Sequence, residues 1–144
     1  MDTKFSVALH VLTMLSESGA ELSSSELAQS VRTNASYIRK VLRLLKNKGL
    51  ITSQQGRSGY VLTKDPAEIS LLELYLATQE TEHITLFALH KNPNTKCPVG
   101  RNIEKAVTPI FETVEYQLEA DLAQKSLADV IESLYQVAHE KTDL

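Results

Sequence analysis

The 144-residue sequence is poor in cysteine, in long apolar runs and, over one stretch, in acid. Its single cysteine, Cys97, leaves no intrachain disulfide to form, which fits a reducing compartment. No apolar run approaches the ~18 residues a membrane-crossing helix needs, so no membrane span is expected. The start, Met1-Asp2-Thr3-Lys4-Phe5, lacks the basic region, apolar stretch and small-residue cleavage site of a secretory leader. A cytoplasmic location is therefore expected. There is no phosphate-binding glycine motif, no readable nucleophile–base pair and no paired carboxylates at a catalytic spacing, which argues against an enzyme. Internal repeats and low-complexity segments are also missing. What is present is 42% hydrophobic residues, enough for a core.

The missing acid is the most informative absence. Residues 27–64 hold Arg32, Arg39, Lys40, Arg43, Lys46, Lys48, Arg57 and Lys64 but no Asp or Glu. The chain has 15 basic and 18 acidic residues, a net charge of -3. Removing the window's eight basic residues leaves seven against 18 acids, so +8 in the window faces -11 elsewhere. Such asymmetry points to a polyanionic partner, although charge alone also fits an ordinary solvated basic face.

Hydrophobic spacing supplies the elements. Phe5, Ala8, Leu9, Leu12 and Leu15 predict a helix over residues 3–18, ended by Gly19. Ser23 and Glu26 form a capping-box spacing that opens a short helix with Leu27, Ala28 and Val31 on its buried side. Residues 32–34 read as a tight turn with Asn34 as the next cap. Ile38, Val41, Leu42 and Leu45 predict a helix over residues 35–48, closed by Gly49. Strand candidates at 50–54 and 60–63 flank a glycine-containing turn. Ser70 and Glu73 cap a further helix, and a short helix is expected around residues 85–89. Beyond Pro98, apolar residues recur at steps of three or four, with Pro109 either kinking one long helix or starting a second. A last helix is expected over residues 127–139. The fold class is mainly α (α+β): a winged helix-turn-helix with a two-stranded wing, followed by a long C-terminal helix.

A short helix, a tight turn and a basic second helix form the layout in which the second helix enters the major groove of double-stranded DNA. Ser36, Tyr37, Arg39 and Lys40 are then the candidates for base edges. Arg39 is suited to a bidentate contact with guanine. Lys40, Arg43 and Lys46 are suited to phosphates, which hold register without carrying sequence information. Gly56, Arg57 and Ser58 form the tip of the wing, where Arg57 can enter a minor groove. Other readings stay open for several of these: Tyr37 as packing, Lys46 and Lys48 as complements to a helix dipole, Arg57 as a solvated turn residue. A winged helix used only for protein contacts is the alternative to a DNA reader.

The motifs KFSVALHVL (4–12), SELA (25–28), SYIRKVL (36–42), LKNKGLI (45–51), GRSGYVL (56–62) and CPV (97–99) carry a family resemblance. The sequence resembles the Rrf2 family of bacterial winged-helix regulators, that of IscR, NsrR and CymR, and looks closest to its cluster-less YwnA-like branch. The resemblance is specific over the first 65 residues and looser beyond. It implies a transcriptional repressor that binds a roughly palindromic operator as a homodimer. It divides the chain into a DNA-binding region (1–66), a connecting helical region (67–95) and dimerisation helices (96–144). Ile103, Val107, Ile110, Phe111, Val114, Leu118 and Leu122 are the expected dimer face. Sensing members of the family hold an iron–sulfur cluster on three cysteines. With Cys97 as the third, the other two positions fall on Thr85 and Lys91, which cannot replace thiolates. No cluster and no metal are expected. Cys97, beside Lys96 at a helix start, is a candidate redox thiol, with an inert capping role as its alternative. His83 and His90 with Glu80 and Glu82 match no metal spacing and read as solvated. The effector, whether small molecule or protein, is not named by any motif.

Overall fold

The computed structural model describes residues 2–53 and 59–141. Helices α1 (Lys4–Glu17), α2 (Ser24–Val31) and α3 (Ala35–Asn47) are followed by strands β1 (Ile51–Thr52) and β2 (Val61–Leu62). A 3-10 turn (Pro66–Glu68) leads into α4 (Leu71–Gln79), which α5 (Pro98–Ala123) and α6 (Leu127–Lys141) follow. The architecture is mainly helical with one small antiparallel sheet, a winged helix-turn-helix followed by a long helix.

The local signals are made in hydrogen bonds. Ser23 accepts from the Glu26 amide and donates its hydroxyl to the Glu26 carboxylate, 3.0 Å away. The Asn34 side chain accepts from the Tyr37 amide at 2.7 Å, and Ser70 accepts from the Glu73 amide at 3.1 Å. Each cap satisfies an amide that the helix itself cannot. Gly49 follows α3 at φ +73, a conformation that costs glycine little. Its amide bonds to the Lys46 carbonyl, and the chain turns directly into β1.

One core joins α1 to α4 and the start of α6. Ala8, Val11 and Leu12 of α1, Leu27 of α2, Ile38, Val41 and Leu45 of α3, Leu74 of α4 and Leu127 of α6 are all fully buried. The buried stripe of α1 is Val7, Ala8, Val11, Leu12 and Leu15, rotated from the expected one. Phe5 instead packs edge-on against Tyr75, and Leu9 lies only half-buried in a groove facing α6. Helix α1 is covered by α3 and α4 on one side and α6 on another, so more than one stripe is apolar.

The sheet pairs Ile51 with Leu62 and Thr52 with Val61, shorter than expected. It is extended by an isolated bridge between Tyr60 and Leu22, which pins the hairpin to the α1–α2 connection. Gly59 is required there: at φ +124, a Cβ would lie 2.7 Å from the Glu21 Cβ.

In the C-terminal half one expectation changes and one open alternative is decided. Residues 85–89 are not helical. The amides of Ile84, Leu86 and Phe87 donate to the carboxylates of Glu119 and Glu115 on α5 instead of to carbonyls one turn back. The side-chain acceptors on a neighbouring element outcompete a local helix that has no cap of its own. Pro109 does not split α5, which runs unbroken for 26 residues. Proline removes one intrahelical donor; on either side of it, Thr108 donates to the Glu104 carbonyl and Thr113 to the Pro109 carbonyl.

Candidate nucleic-acid interface

The amino end of α3 is held from three sides. Asn34 caps it, Ile38, Val41, Leu42, Leu44 and Leu45 seat it in the core, and Tyr37 ties it to the start of α1. Burial of those five apolar residues leaves the other face of the helix to solvent. Ser36, Arg39, Lys40, Arg43 and Lys46 are all exposed, and their spacing (i, i+3, i+4, i+7, i+10) puts them on one face. Among the described residues, no acid is ion-paired to Arg39, Lys40 or Arg43. Lys46 donates to the Ser53 hydroxyl at 3.0 Å, which links the end of α3 to the base of the hairpin. Lys64, counted in the basic window, is drawn off by Glu73 at 2.8 Å. Lys48 is exposed beyond the helix end.

Tyr37 differs from its neighbours. Its ring is half-buried against the core, and its hydroxyl lies 3.1 Å from the Thr3 hydroxyl. The Thr3 contact joins the recognition-helix candidate to the first turn of α1. Beside it, the Asp2 carboxyl is lowered to about 2 by hydrogen bonds from the backbone and the amine of Lys4. Gly56, Arg57 and Ser58, the expected tip of the wing, lie outside the described residues.

The long helix α5 is built differently. It has no buried residue among its 26. Ile110 is 62% exposed and Val114 42%, while Ile103, Val107, Phe111, Leu118 and Leu122 are half-buried. Phe111 stacks at 4.8 Å on Phe87 of the tethered segment, and Leu122 reaches the core. The seven apolar residues expected to form one face are therefore divided between contacts inside the subunit and a solvent-facing ridge. Beside that segment is a cavity of about 280 Å3, lined by His83, Ile84, Thr85, Glu112, Glu115, Tyr116 and Glu119. The carboxylates of Glu115 and Glu119 were missed as structural groups in the sequence. Their i, i+4 spacing on α5 was visible, but the segment they hold is distant in the chain.

Cys97 is exposed at the N-cap position of α5. The backbone amides of Gly100 and then Val99 lower its thiol pKa by their proximity, although its side chain makes no capping hydrogen bond; the direction is that expected of a thiol at a helix start. The expected contribution of Lys96 is not among the causes. His83 stands 3.5 Å from Glu119, and His10 shares a hydrogen bond with Ser30.

Comparison with known proteins agrees with this layout. The Rrf2 model, described as an iron-dependent transcriptional regulator, matches residues 1–133. The chain is 46% identical over 136 residues to YwnA of Bacillus subtilis, described as an HTH-type transcriptional regulator, covering 94% of this chain and 99% of that protein. A crystal structure of a protein described as DNA-binding is 41% identical, with a TM-score of 0.74 over 89% of this chain and 98% of the other. A transcriptional regulator from Lactobacillus plantarum is similar over the whole of both chains, at 28% identity and a TM-score of 0.79.

Iron, named in the family's description, does not suit the residues found here. The chain offers one thiol, whereas an iron–sulfur cluster takes several, mostly thiolate, ligands. Glu115 and Glu119 are engaged by backbone amides. No group of three or more His, Cys, Asp or Glu among the described residues is arranged to hold a metal ion.

Proposed function

Because this chain belongs to the Rrf2 family of transcriptional regulators, we propose that it is a sequence-specific repressor that binds a roughly palindromic operator as a homodimer. The observation that carries the reading is the exposed face of α3, where Arg39, Lys40 and Arg43 stand together without acidic partners among the described residues. Exposed cations on one rigid helix, with no acidic partner to neutralise them among the described residues, leave their charge available to DNA phosphates. In this reading Arg39 and Ser36 meet base edges from the helix's amino end. Lys40, Arg43 and Lys46 set register on the backbone. Tyr37, half-buried and in contact with the Thr3 hydroxyl, stands beside Arg39 and Ser36 as the third base contact. The wing residues Gly56, Arg57 and Ser58 follow the adjacent minor groove.

The dimer rests on α5. A helix without one buried residue, yet carrying Ile110 at 62% exposure and Val114 at 42%, has apolar surface to cover. A second copy related by two-fold symmetry covers it with the same residues and places two reading helices about one DNA turn apart. Residues 1–66 serve as the reader, 67–95 as the connection and 96–144 as the dimer unit. Cys97 is the proposed input for a redox signal, since its thiol is exposed and acidified; another effector acts if it is not.

Selection of bound fragments from random DNA tests the reading. A recovered half-site motif with a two-fold partner is expected. Recovery of no motif at all overturns the repressor and favours a winged helix that only contacts proteins. Sedimentation should give a dimer at micromolar concentration, and Ile110→Asp with Val114→Asp a monomer. Operator binding that mild peroxide leaves unchanged, in both the parent and Cys97→Ser, removes the redox role.

A further inference from the structure

The turn between α2 and α3 holds a residue that is costly where it sits. Arg32 has φ +62 and ψ +51, the left-handed conformation, at the C-cap of α2. Its amide and that of Thr33 both bond to the Ala28 carbonyl, at 2.9 and 3.2 Å, so the helix end imposes this backbone shape. Glycine adopts it freely, and asparagine tolerates it better than arginine does. An L residue with a long side chain is strained there.

Among the described residues, the side chain makes no polar contact that would offset that strain. Arg32 is exposed, and among the described residues no hydrogen bond or ion pair engages its guanidinium. It stands two residues before the cap Asn34, at the amino end of α3 where Ser36, Arg39 and Lys40 are exposed. A strained residue kept without an internal partner points outward.

We infer that Arg32 is a further DNA contact, a guanidinium that clamps a phosphate on the strand flanking the groove entered by α3. The inference rests on the DNA-binding reading and adds to it a residue outside the α3 face. Guanidinium suits the task because its planar fork can hold two phosphate oxygens at once. The contact is independent of sequence, so it acts on any duplex.

The same assignment predicts opposite signs for stability and binding, which a purely structural residue does not give. Arg32→Gly relieves the backbone and should raise Tm by roughly 2–5 °C. It should also weaken binding on the order of tenfold at low salt, and lower the slope of log K against log salt by about 0.9. Arg32→Asn should act in the same directions. Arg32→Lys should keep the salt slope of the parent. Glu80 is the internal control, since it has φ +54 at the C-cap of α4. Glu80→Gly should raise Tm without weakening binding.

The experiment measures fluorescence anisotropy against salt on two duplexes, one of mixed sequence and one selected by the parent protein, alongside thermal melts of each variant. A parent that binds neither duplex overturns the DNA reading and this inference with it. A parent that binds, with Arg32→Gly matching its affinity and salt slope, overturns the Arg32 assignment alone. Weaker binding accompanied by a lower Tm also overturns it, because the loss is then one of structure.

Discussion

The two helices that define this protein, α3 and α5, differ in where their apolar residues go. Helix α3 buries five of its 13 residues in the shared core and leaves its charges outside. Helix α5 buries none of 26 and divides its apolar residues between Phe87, the core edge and solvent. The first is therefore held in place by its own subunit. The second has more apolar surface than its own subunit covers. A helix that must present side chains to a rigid partner is positioned by packing beneath it. In the proposed homodimer, that uncovered surface is what a second copy would meet.

That contrast can be broken by experiment. The largest expected effect is Leu45→Ala, which removes a fully buried side chain and should cost about 2–5 kcal/mol in denaturant unfolding. The matching truncation Val114→Ala should cost under about 0.5 kcal/mol in a chain kept monomeric by dilution. Equal losses at the two sites would erase the distinction between the helices. Next, Arg39→Ala should reduce discrimination at one operator position by about 1–3 kcal/mol, read by competition between single-base variants. Asn34→Ala should destabilise by about 1 kcal/mol through loss of the cap on the Tyr37 amide, measured by thermal melting. The smallest effect is expected of Lys40→Ala. It should weaken binding evenly across sequences and lower the salt slope by about 0.9, with base preference unchanged.

A subtler test concerns the segment that α5 does hold. Glu115→Ala with Glu119→Ala removes the acceptors for the amides of Ile84, Leu86 and Phe87. Faster hydrogen exchange at those three amides is expected, with the amides of α3 unaffected. Uniform acceleration through α3 would show that the two regions do not stand apart.

The legible part of the structure was local. Ser23, Asn34 and Ser70 were readable as caps because the capping hydroxyl or amide lies three residues from the amide it satisfies. The stripe of α3 was readable because one helical face meets one core. For α1 it was less so, since α1 is packed by α3, α4 and α6 and several of its faces are apolar. The segment at residues 85–89 misled for a related reason: its backbone partners are carboxylates about 30 residues further along the chain. Of the candidate interface, the exposed cations of α3 were marked in the sequence by the absence of acid. The left-handed Arg32 and the anchoring of Tyr37 by Thr3 left no such mark, because each depends on backbone shape or on a neighbour from another helix.

Charge, periodicity and caps are properties of near neighbours in the chain. The order of the helices, the turn before α3 and the basic character of its outer face were accordingly determined by the sequence itself. Which carboxylates hold residues 84–87, how Tyr37 is seated and how much of α5 is left uncovered were decided only by tertiary structure. Those outcomes depend on which groups distant in the chain make the more favourable hydrogen bonds and packing in the folded state, and no local pattern encodes that competition.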